Sequence, residues 1–447
     1  MTSIWWIRRD LRTEDNGALG AACAEGPVVP LFVVDPIFLQ HAGVPRLQFL
    51  FGTLRELDAR MGGALVIRVG DPITEVVAVT QAVGAKAVFA NRDFVPYGQS
   101  RDEKVAKALQ SIGVHLVRAD SPYVVDPGTI RKDDGTAVRV FTPFYKRWQQ
   151  VPWQSAGTYE PDWLNTASMS VELPEIGMTT AILPDVGQDA AWSRWNGWSA
   201  QHLAEYKDSR NLPAVDGTSM MSPYLRFGVV HPRQLISDLP SHAGADVFRS
   251  EIAWREFYAD VLFHRPDSMW KNLQAKMDVL PVDTDLAAKK RFAVWCEART
   301  GYPIVDAGIR QMLAIGWMHN RVRMIVASFL VKDLHVPWQW GARFFMKHLV
   351  DGDIASNNHG WQWTAGTGTD ASPYFRVFNP FGQSAKFDPT GDYLRQWIPE
   401  ISDLDDEHIH APWTLGMLVP KNYPAPMVDH ATEREEALAR YKAVSGK

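Results

Sequence analysis

The strongest constraint on the fold is an alternation in the first 118 residues. Short β-branched or aromatic runs at 3–7, 28–34, 65–69, 86–90 and 114–118 are separated by stretches of helical spacing near 17–24, 46–61, 72–83 and 99–112. Strands with a helix between each pair cannot form hairpins. The helices must cross over, the strands run parallel, and both sheet faces are covered. The expectation is an α/β domain over 1–125, built on an open, doubly wound, five-stranded parallel sheet. No GxGxxG follows its first strand, and no GxxxxGK followed by Ser or Thr occurs anywhere, so the pattern does not say what the sheet would bind.

Beyond this region the alternation stops. Residues 126–195 lack sustained periodicity, are interrupted by Pro127, Pro143, Pro152, Pro161, Pro174 and Pro184, and read as a long connection laid on a surface. From 196 the spacing is helical, which gives a large all-α domain over 196–447. A chain of 447 residues has room for two such cores at about 150 residues per domain. Hydrophobic residues at 46% and charged residues at 22% are globular proportions that exclude a disordered or fibrous chain. No run reaches the ~18 apolar residues of a membrane helix, and the opening MTSIWWIRRDLR does not read as a signal peptide. A soluble, cytoplasmic protein is expected. Cys23 and Cys296 fit neither a disulfide framework nor a zinc spacing and are expected to be buried free thiols. The net charge of −5 means that a phosphate-bearing partner has to be met by a local basic patch.

Tryptophan is the outlier, with 18 residues, more than packing alone requires. Several stand beside chemistry-bearing side chains. In EIAWREF at 251–257, Glu251, Trp254 and Arg255 are three and four positions apart and share one helix face. That pattern fits either a site or an exposed Glu–Arg pair beside a half-buried indole. In WMHNRVRM at 317–324, Asn320, Arg323 and Met324 share a face in the same way. A snorkelling Arg over a Met-filled core stripe is the alternative there. The densest segment, 351–379, holds Asp351, Asp353, Asn357, Trp361 and Trp363. Its two carboxylates lack the further oxygens that a hard cation needs, so no metal is expected. Trp361 and Trp363 lie about 200° apart on a helix, so one can line a pocket while the other is core. The triplet HIH at 408–410 sits in a charged stretch and reads as solvated. Taken alone, the residues describe a two-domain enzyme with an aromatic, amide- and Arg-rich site in its helical half, and they do not name the reaction.

Three segments resemble the DNA photolyase and cryptochrome family: WWIRRDLRTEDNGAL at 5–19, TGYPIVDAGIRQMLAIGWMHNRVRMIVASFL at 300–330, and DGDIASNNHGWQWTAGTGTDASPYFRVFNP at 351–380. The resemblance runs through the whole chain. It implies an α/β antenna domain joined to a helical domain holding FAD, active in its reduced form. Tyr206 and the loop Thr218, Ser219, Met220, Met221 and Ser222 match the phosphate-binding stretch for FAD. Glu251, Arg255, Trp317, Asn320, Arg323, Asp351, Asp353 and Asn357 match flavin-proximal positions, with Arg323 paired to Asp351. Asn357 matches the asparagine that photolyases place at flavin N5. Trp254 and Trp363 match the indoles that wall the pocket for a cyclobutane pyrimidine dimer, and Asn320 and Met324 match the dimer-repair pattern. Glu251 matches the carboxyl that bonds the dimer bases. Arg210 and Arg376 match positions near the DNA backbone. The implied function is light-driven repair of cyclobutane pyrimidine dimers in UV-damaged DNA by a monomer, with Glu251, Asn357, Trp361 and Trp338 as catalytic residues. The alternative is a cryptochrome-type photoreceptor without repair.

Two positions depart from the family pattern. Trp361 and Trp338 match two members of its three-tryptophan electron relay, but the third position holds Asp285, so the relay is expected to end early or to reroute through Trp340 or Trp270. Folate-binding members carry an Asn-Glu pair where this chain has Tyr97 and Gly98. A deazaflavin near 32–35 and 101–104 is therefore expected as antenna in preference to methenyltetrahydrofolate.

Overall fold

A computed structural model describes residues 1–369 and 376–445, so positions 370–375 of the long motif at 351–380 lie outside the described residues. The chain divides into two compact units, the first from 1–179, 184–201 and 220–266, the second from 180–183, 202–219 and 267–447.

The first unit is built on five parallel strands, β1 (Ser3–Ile7), β2 (Val28–Val34), β3 (Val66–Val69), β4 (Ala87–Ala90) and β5 (His115–Arg118), in the order β3-β2-β1-β4-β5. Helices Gly17–Glu25, Val44–Arg60, Pro72–Val83 and Pro96–Gln110 fill the crossovers. Every residue of β1 and β2 is buried, as a sheet covered on both faces requires, while β5 is an exposed edge. Pro30 is tolerated inside β2 because pairing with β3 begins only at Leu31. On that side residue 30 has no ladder bond to lose. The strand order reverses beside β1, the place where doubly wound sheets offer a crevice.

The stretch 126–195 is anchored rather than loose. Asp162 and Leu164 bond Val28 through main-chain groups at 2.8 and 2.9 Å, and Val171 donates to the Ile67 carbonyl at 2.9 Å. A helix forms at Phe141–Trp148, and another, Gly187–His202, starts before 195. Packing does not divide at 195 either, because the long helix Ala243–His264 belongs to the first unit. Its buried acids tie it to that unit. Glu256 accepts from the Val124 and Val125 amides at 2.5 and 3.0 Å and from the Trp148 indole at 2.6 Å, and Asp260 accepts from the Gly128 amide at 2.7 Å.

The second unit has no strand among its described residues. Its core gathers Trp295, Tyr302, Met312, Phe329, Phe345 and Trp361. The helices Trp338–His348 and Ile354–Ala365 approach so closely that a Cβ at Gly341 would lie 2.2 Å from the Trp361 ring, which makes glycine the residue that fits. His410 is a correction to the expectation of a solvated triplet. It is buried and bonds Ser384 at 2.7 Å, whereas His408 pairs with Asp405. The two thiols are free but only half-buried. Among the described residues no helix is long and apolar enough to cross a membrane.

Candidate active site

In the first unit, Glu251, Trp254 and Arg255 lie on the Ala243–His264 helix, all half-buried. His242 caps that helix by accepting from the Ala245 amide at 3.1 Å. Arg255 donates to the carbonyls of Pro122 and Leu225 at 3.0 and 3.3 Å and lies over Tyr123 at 4.8 Å. The indole of Trp254 touches Phe141, Phe257 and Tyr258. Two turns of this helix thus present a carboxylate and an indole from a backbone held by the buried Glu256 and Asp260.

In the loop before the helix Ser222–Phe227, Met220 takes a left-handed φ of +53° and Met221 returns to φ −77°. Successive left- and right-handed residues turn neighbouring amide N–H groups toward one point, a concavity suited to an anion. A non-glycine residue held at positive φ is costly, and such strain collects at ligand clamps.

In the second unit, Asn320, Arg323 and Met324 open the helix Asn320–Ser328, with Asn320 exposed and the other two half-buried. Arg323 donates to Asp351 at 2.8 Å and to the Met318 carbonyl at 2.7 Å, and lies 5.9 Å from the buried Trp317 ring. Asp353 caps Ile354–Ala365 by accepting from the Ala355 and Ser356 amides at 3.0 and 3.1 Å. Both acids therefore serve a cation or a helix end. Asn357, one turn further on, donates from its side-chain nitrogen to the Ala342 carbonyl at 3.1 Å and to Asn358 Oδ1 at 2.8 Å. A carbonyl can only accept, so the amide orientation is fixed and Oδ1 of Asn357 is the acceptor it offers elsewhere. Trp361 is buried and Trp363 half-buried, in keeping with their spacing.

His319 caps the Asn320–Ser328 helix by accepting from the Arg321 amide at 3.2 Å. Burial, then Arg323 and Arg321, push its imidazole down to about 4, so it is neutral at physiological pH. Arg210 follows the short helix Tyr206–Ser209, whose Tyr206 is buried. Arg321, which the sequence reading passed over, joins a basic group. Burial and then the charges of Arg210 and Arg376 lower its guanidinium, while Asn211 at 2.7 Å and the Phe387 ring at 4.4 Å hold it. The adjacent Asn320 in WMHNRVRM was the signal available for it.

The aromatic contacts of Trp361 run to Phe345 at 4.9 Å and to Trp295 at 6.4 Å. Trp295 stacks on Phe292 at 5.7 Å, and Phe292 meets half-buried Trp340 edge-on at 5.4 Å. Trp338 is buried and donates to Asn272 at 2.9 Å, while Trp270 lies under Arg343 at 4.7 Å. Asp285 is exposed and caps the helix Leu286–Cys296, accepting from the Ala288 amide at 2.8 Å. The sequence reading did not identify Trp295, because nothing in its spacing connects it to Trp361.

At the strand-order reversal of the first unit, Tyr97 bonds Asp35, Arg101 pairs with Asp93 at 3.2 Å and Asp102 at 2.8 Å, and Arg8 pairs with Asp102 at 2.8 Å. The Trp6 ring lies 4.4 Å from the Arg8 guanidinium and 5.2 Å from that of Arg101. A Cβ at Gly98 would stand 2.2 Å from Asp93, so no larger residue fits there without moving that side chain.

Residues 3–161 match the family model for DNA photolyase, and residues 248–443 match that for the FAD binding domain of DNA photolyase. The deoxyribodipyrimidine photo-lyases of Vibrio cholerae and Escherichia coli are 39% and 37% identical, each covering 99% of this chain, with 99% and 98% of their own lengths covered. Among solved structures, a class III photolyase from Agrobacterium tumefaciens matches at TM-score 0.88 and 34% identity over 100% of this chain and 98% of its own. A cryptochrome from Synechocystis matches at TM-score 0.87 and 28% identity over 99% and 98%. Within the second unit the residues present suit FAD: an Arg323–Asp351 pair and an Asn357 oxygen able to take a ring N–H. With two family models and full-length identity near two-fifths, the chain belongs to the DNA photolyase family.

Proposed function

We propose that the protein repairs cyclobutane pyrimidine dimers in UV-damaged DNA under light. The observation that carries this reading is Asn357, whose amide protons are both engaged within the protein and whose oxygen is thereby turned into an acceptor. An acceptor suits the N–H of a reduced flavin, the form able to donate an electron. FAD, when bound, supplies that electron on absorbing light; the protein binds, orients and tunes. Tyr206, Thr218, Ser219, Met220, Met221, Ser222, Arg255, Trp317, Arg323, Asp351 and Asp353 are assigned to holding it.

The dimer has to leave the duplex, at a cost of a few kcal/mol that is smaller for a damaged pair. Stacking on Trp254 and Trp363 contributes on the order of 1–3 kcal/mol per base and offsets much of that cost. Arg210 and Arg376, both close enough for their charges to act on Arg321, bind backbone phosphates that the acidic total would otherwise repel. Asn320 and Met324 face the dimer. Glu251 is assigned to bonding the dimer bases, and in the carboxylic-acid form, which donates a hydrogen bond, it steadies the charge they gain on accepting an electron. The two cyclobutane C–C bonds then break and the electron returns, so no net oxidation occurs. His319 stands alone in WMHNRVRM, where photolyases for 6-4 photoproducts have a histidine pair, and it is committed as a helix cap, which favours this substrate over that one.

Trp361 begins the path that restores the reduced cofactor, and the ring contacts from it through Trp295 and Phe292 to Trp340 favour that way out in addition to Trp338. For the antenna, a deazaflavin near 32–35 and 101–104 is favoured over a folate, because Gly98 cannot be the glutamate that a folate would need. The Sulfolobus tokodaii photolyase, described with two FAD molecules, leaves a flavin as the other candidate. A cytoplasmic monomer is the simplest arrangement.

A photoreceptor without repair is the second reading, supported by the likeness to the Synechocystis cryptochrome. Blue-light and dark incubations of the reduced holoprotein with oligonucleotides carrying either a thymine dimer or a 6-4 photoproduct separate these readings. Light-dependent repair of the dimer alone is expected. No repair of either, with FAD bound, would transfer the function to signalling.

A further inference from the structure

We propose that Phe141 is a positioning residue that sets the plane of Trp254 for the damaged bases; the inference rests on the reading of Trp254 as a wall of their pocket. The Phe141 ring lies 3.7 Å from the Trp254 indole, centroid to centroid, and only 10° from parallel. Aromatic pairs prefer offset or edge-on arrangements to full overlap. Something other than the pair's own electrostatics therefore imposes this geometry.

The imposing element is the Phe141–Trp148 helix, FTPFYKRW, whose positions 141, 144 and 148 are buried. Phe141 and Phe144 both pack on Phe257, at 5.8 and 5.2 Å. At the far end, Trp148 donates its indole N–H to buried Glu256 at 2.6 Å. Tyr145 lies 5.7 Å from Phe141 at 10°, so the planes of Tyr145, Phe141 and Trp254 run nearly parallel. Among the described residues, the other rings touching Trp254 are Phe257 and Tyr258, three and four positions along its own helix. They travel with Trp254 and cannot fix it against the rest of the unit. Phe141 alone brings a ring from another element, and that element is docked at both ends.

Stacking energy depends on the plane a base meets, so a freed indole weakens recognition of the extruded dimer while leaving phosphate contacts untouched. The test uses the FAD-loaded protein and measures dark affinity for thymine-dimer and undamaged oligonucleotides, then repair rate at saturating dimer. Phe141→Leu, which keeps bulk but has no plane, is expected to lower dimer affinity about tenfold, the upper end of one aromatic pair, with undamaged affinity unchanged. Repair rate at saturation is expected to hold within about twofold, and Phe141→Tyr to restore affinity. Adding Phe141→Leu to Trp254→Ala should cost nothing further, since the ring to be positioned is gone. If Phe141→Leu does not fold, Phe141→Met makes the same test. Normal dimer affinity in a folded Leu or Met variant, alongside a loss in Trp254→Ala, overturns the proposal. Normal affinity in Trp254→Ala overturns the pocket reading itself, and the proposal with it.

Discussion

The helix at 243–264 in the first unit and the helix at 354–365 in the second do the same work with opposite chemistry. Each carries candidate site residues at half-buried positions, and each grips a distant loop through polar groups on its buried face. The first grips with acids, Glu256 on the Val124 and Val125 amides and the Trp148 indole, Asp260 on the Gly128 amide. The second grips with neutral groups. Gln362 donates to the Ser268 carbonyl at 2.6 Å and accepts from the Leu273 amide at 2.8 Å, Asn358 donates to the Met269 carbonyl, and His359 bonds Ser268 and the Ala355 carbonyl at 2.9 Å. A carboxylate only accepts, so it suits a loop that presents consecutive N–H groups. An amide donates and accepts, so it suits a loop that presents both. The acid grip has a cost in desolvation. Burial pushes Glu256 up to about 7 despite its three donors, and Asp260 up to about 6.

The largest effect is expected from Glu256→Gln. The new amide turns an N–H toward at least one loop donor, which should destabilise the first unit by about 3 kcal/mol in chemical unfolding. A variant as stable as the parent would mean that the charge is dispensable. The mirror change, Gln362→Glu, removes the donor from the Ser268 carbonyl and should cost roughly 2 kcal/mol at pH 8. Acid should recover part of that loss, because a protonated carboxyl donates again, whereas Glu256→Gln has no such recovery.

Acidity itself sharpens the contrast from the neutral side. Burial pushes His359 down to about 4, below the ordinary histidine value near 6.5. Between those values the unfolded chain binds the proton and the folded one does not, so stability is lost as pH falls through that window. Between pH 8 and pH 5 the loss from His359 should be roughly 2 kcal/mol, and His359→Asn should reduce the slope in urea titrations. A slope unchanged in the variant would reject the assignment. The smallest effect concerns the surface. Arg321→Ala should lower the slope of log affinity against log salt for undamaged DNA by about one, since one phosphate contact is lost.

Much of the first unit was legible in the sequence because it rests on local spacing, strand runs and crossovers that need no distant partner. The opposed indoles at 361 and 363 and the Arg323–Asp351 pair were legible for the same reason or through the family resemblance. The place of the 243–264 helix was not, because the bonds of Glu256 reach back more than a hundred residues to Val124, and a lone buried Glu in a helical stretch looks like any surface acid. Trp295, Arg321 and Phe141 escaped for a similar reason. Each meets a ring or charge contributed by another element, and linear spacing carries no record of such meetings.

Thymine-dimer splitting is the activity we assign to this chain, with Glu251 and Trp254 at the dimer. Reduced, FAD-loaded protein mixed with a thymine-dimer oligonucleotide can be followed by recovery of base absorbance under blue light, for the parent, Glu251→Ala and Trp254→Ala. Recovery is expected in the parent in light only, with a fall of at least about tenfold in repair for Glu251→Ala and dimer affinity lost in Trp254→Ala. Full recovery in both variants would contradict the assigned pocket, and no recovery in the illuminated parent would contradict repair itself.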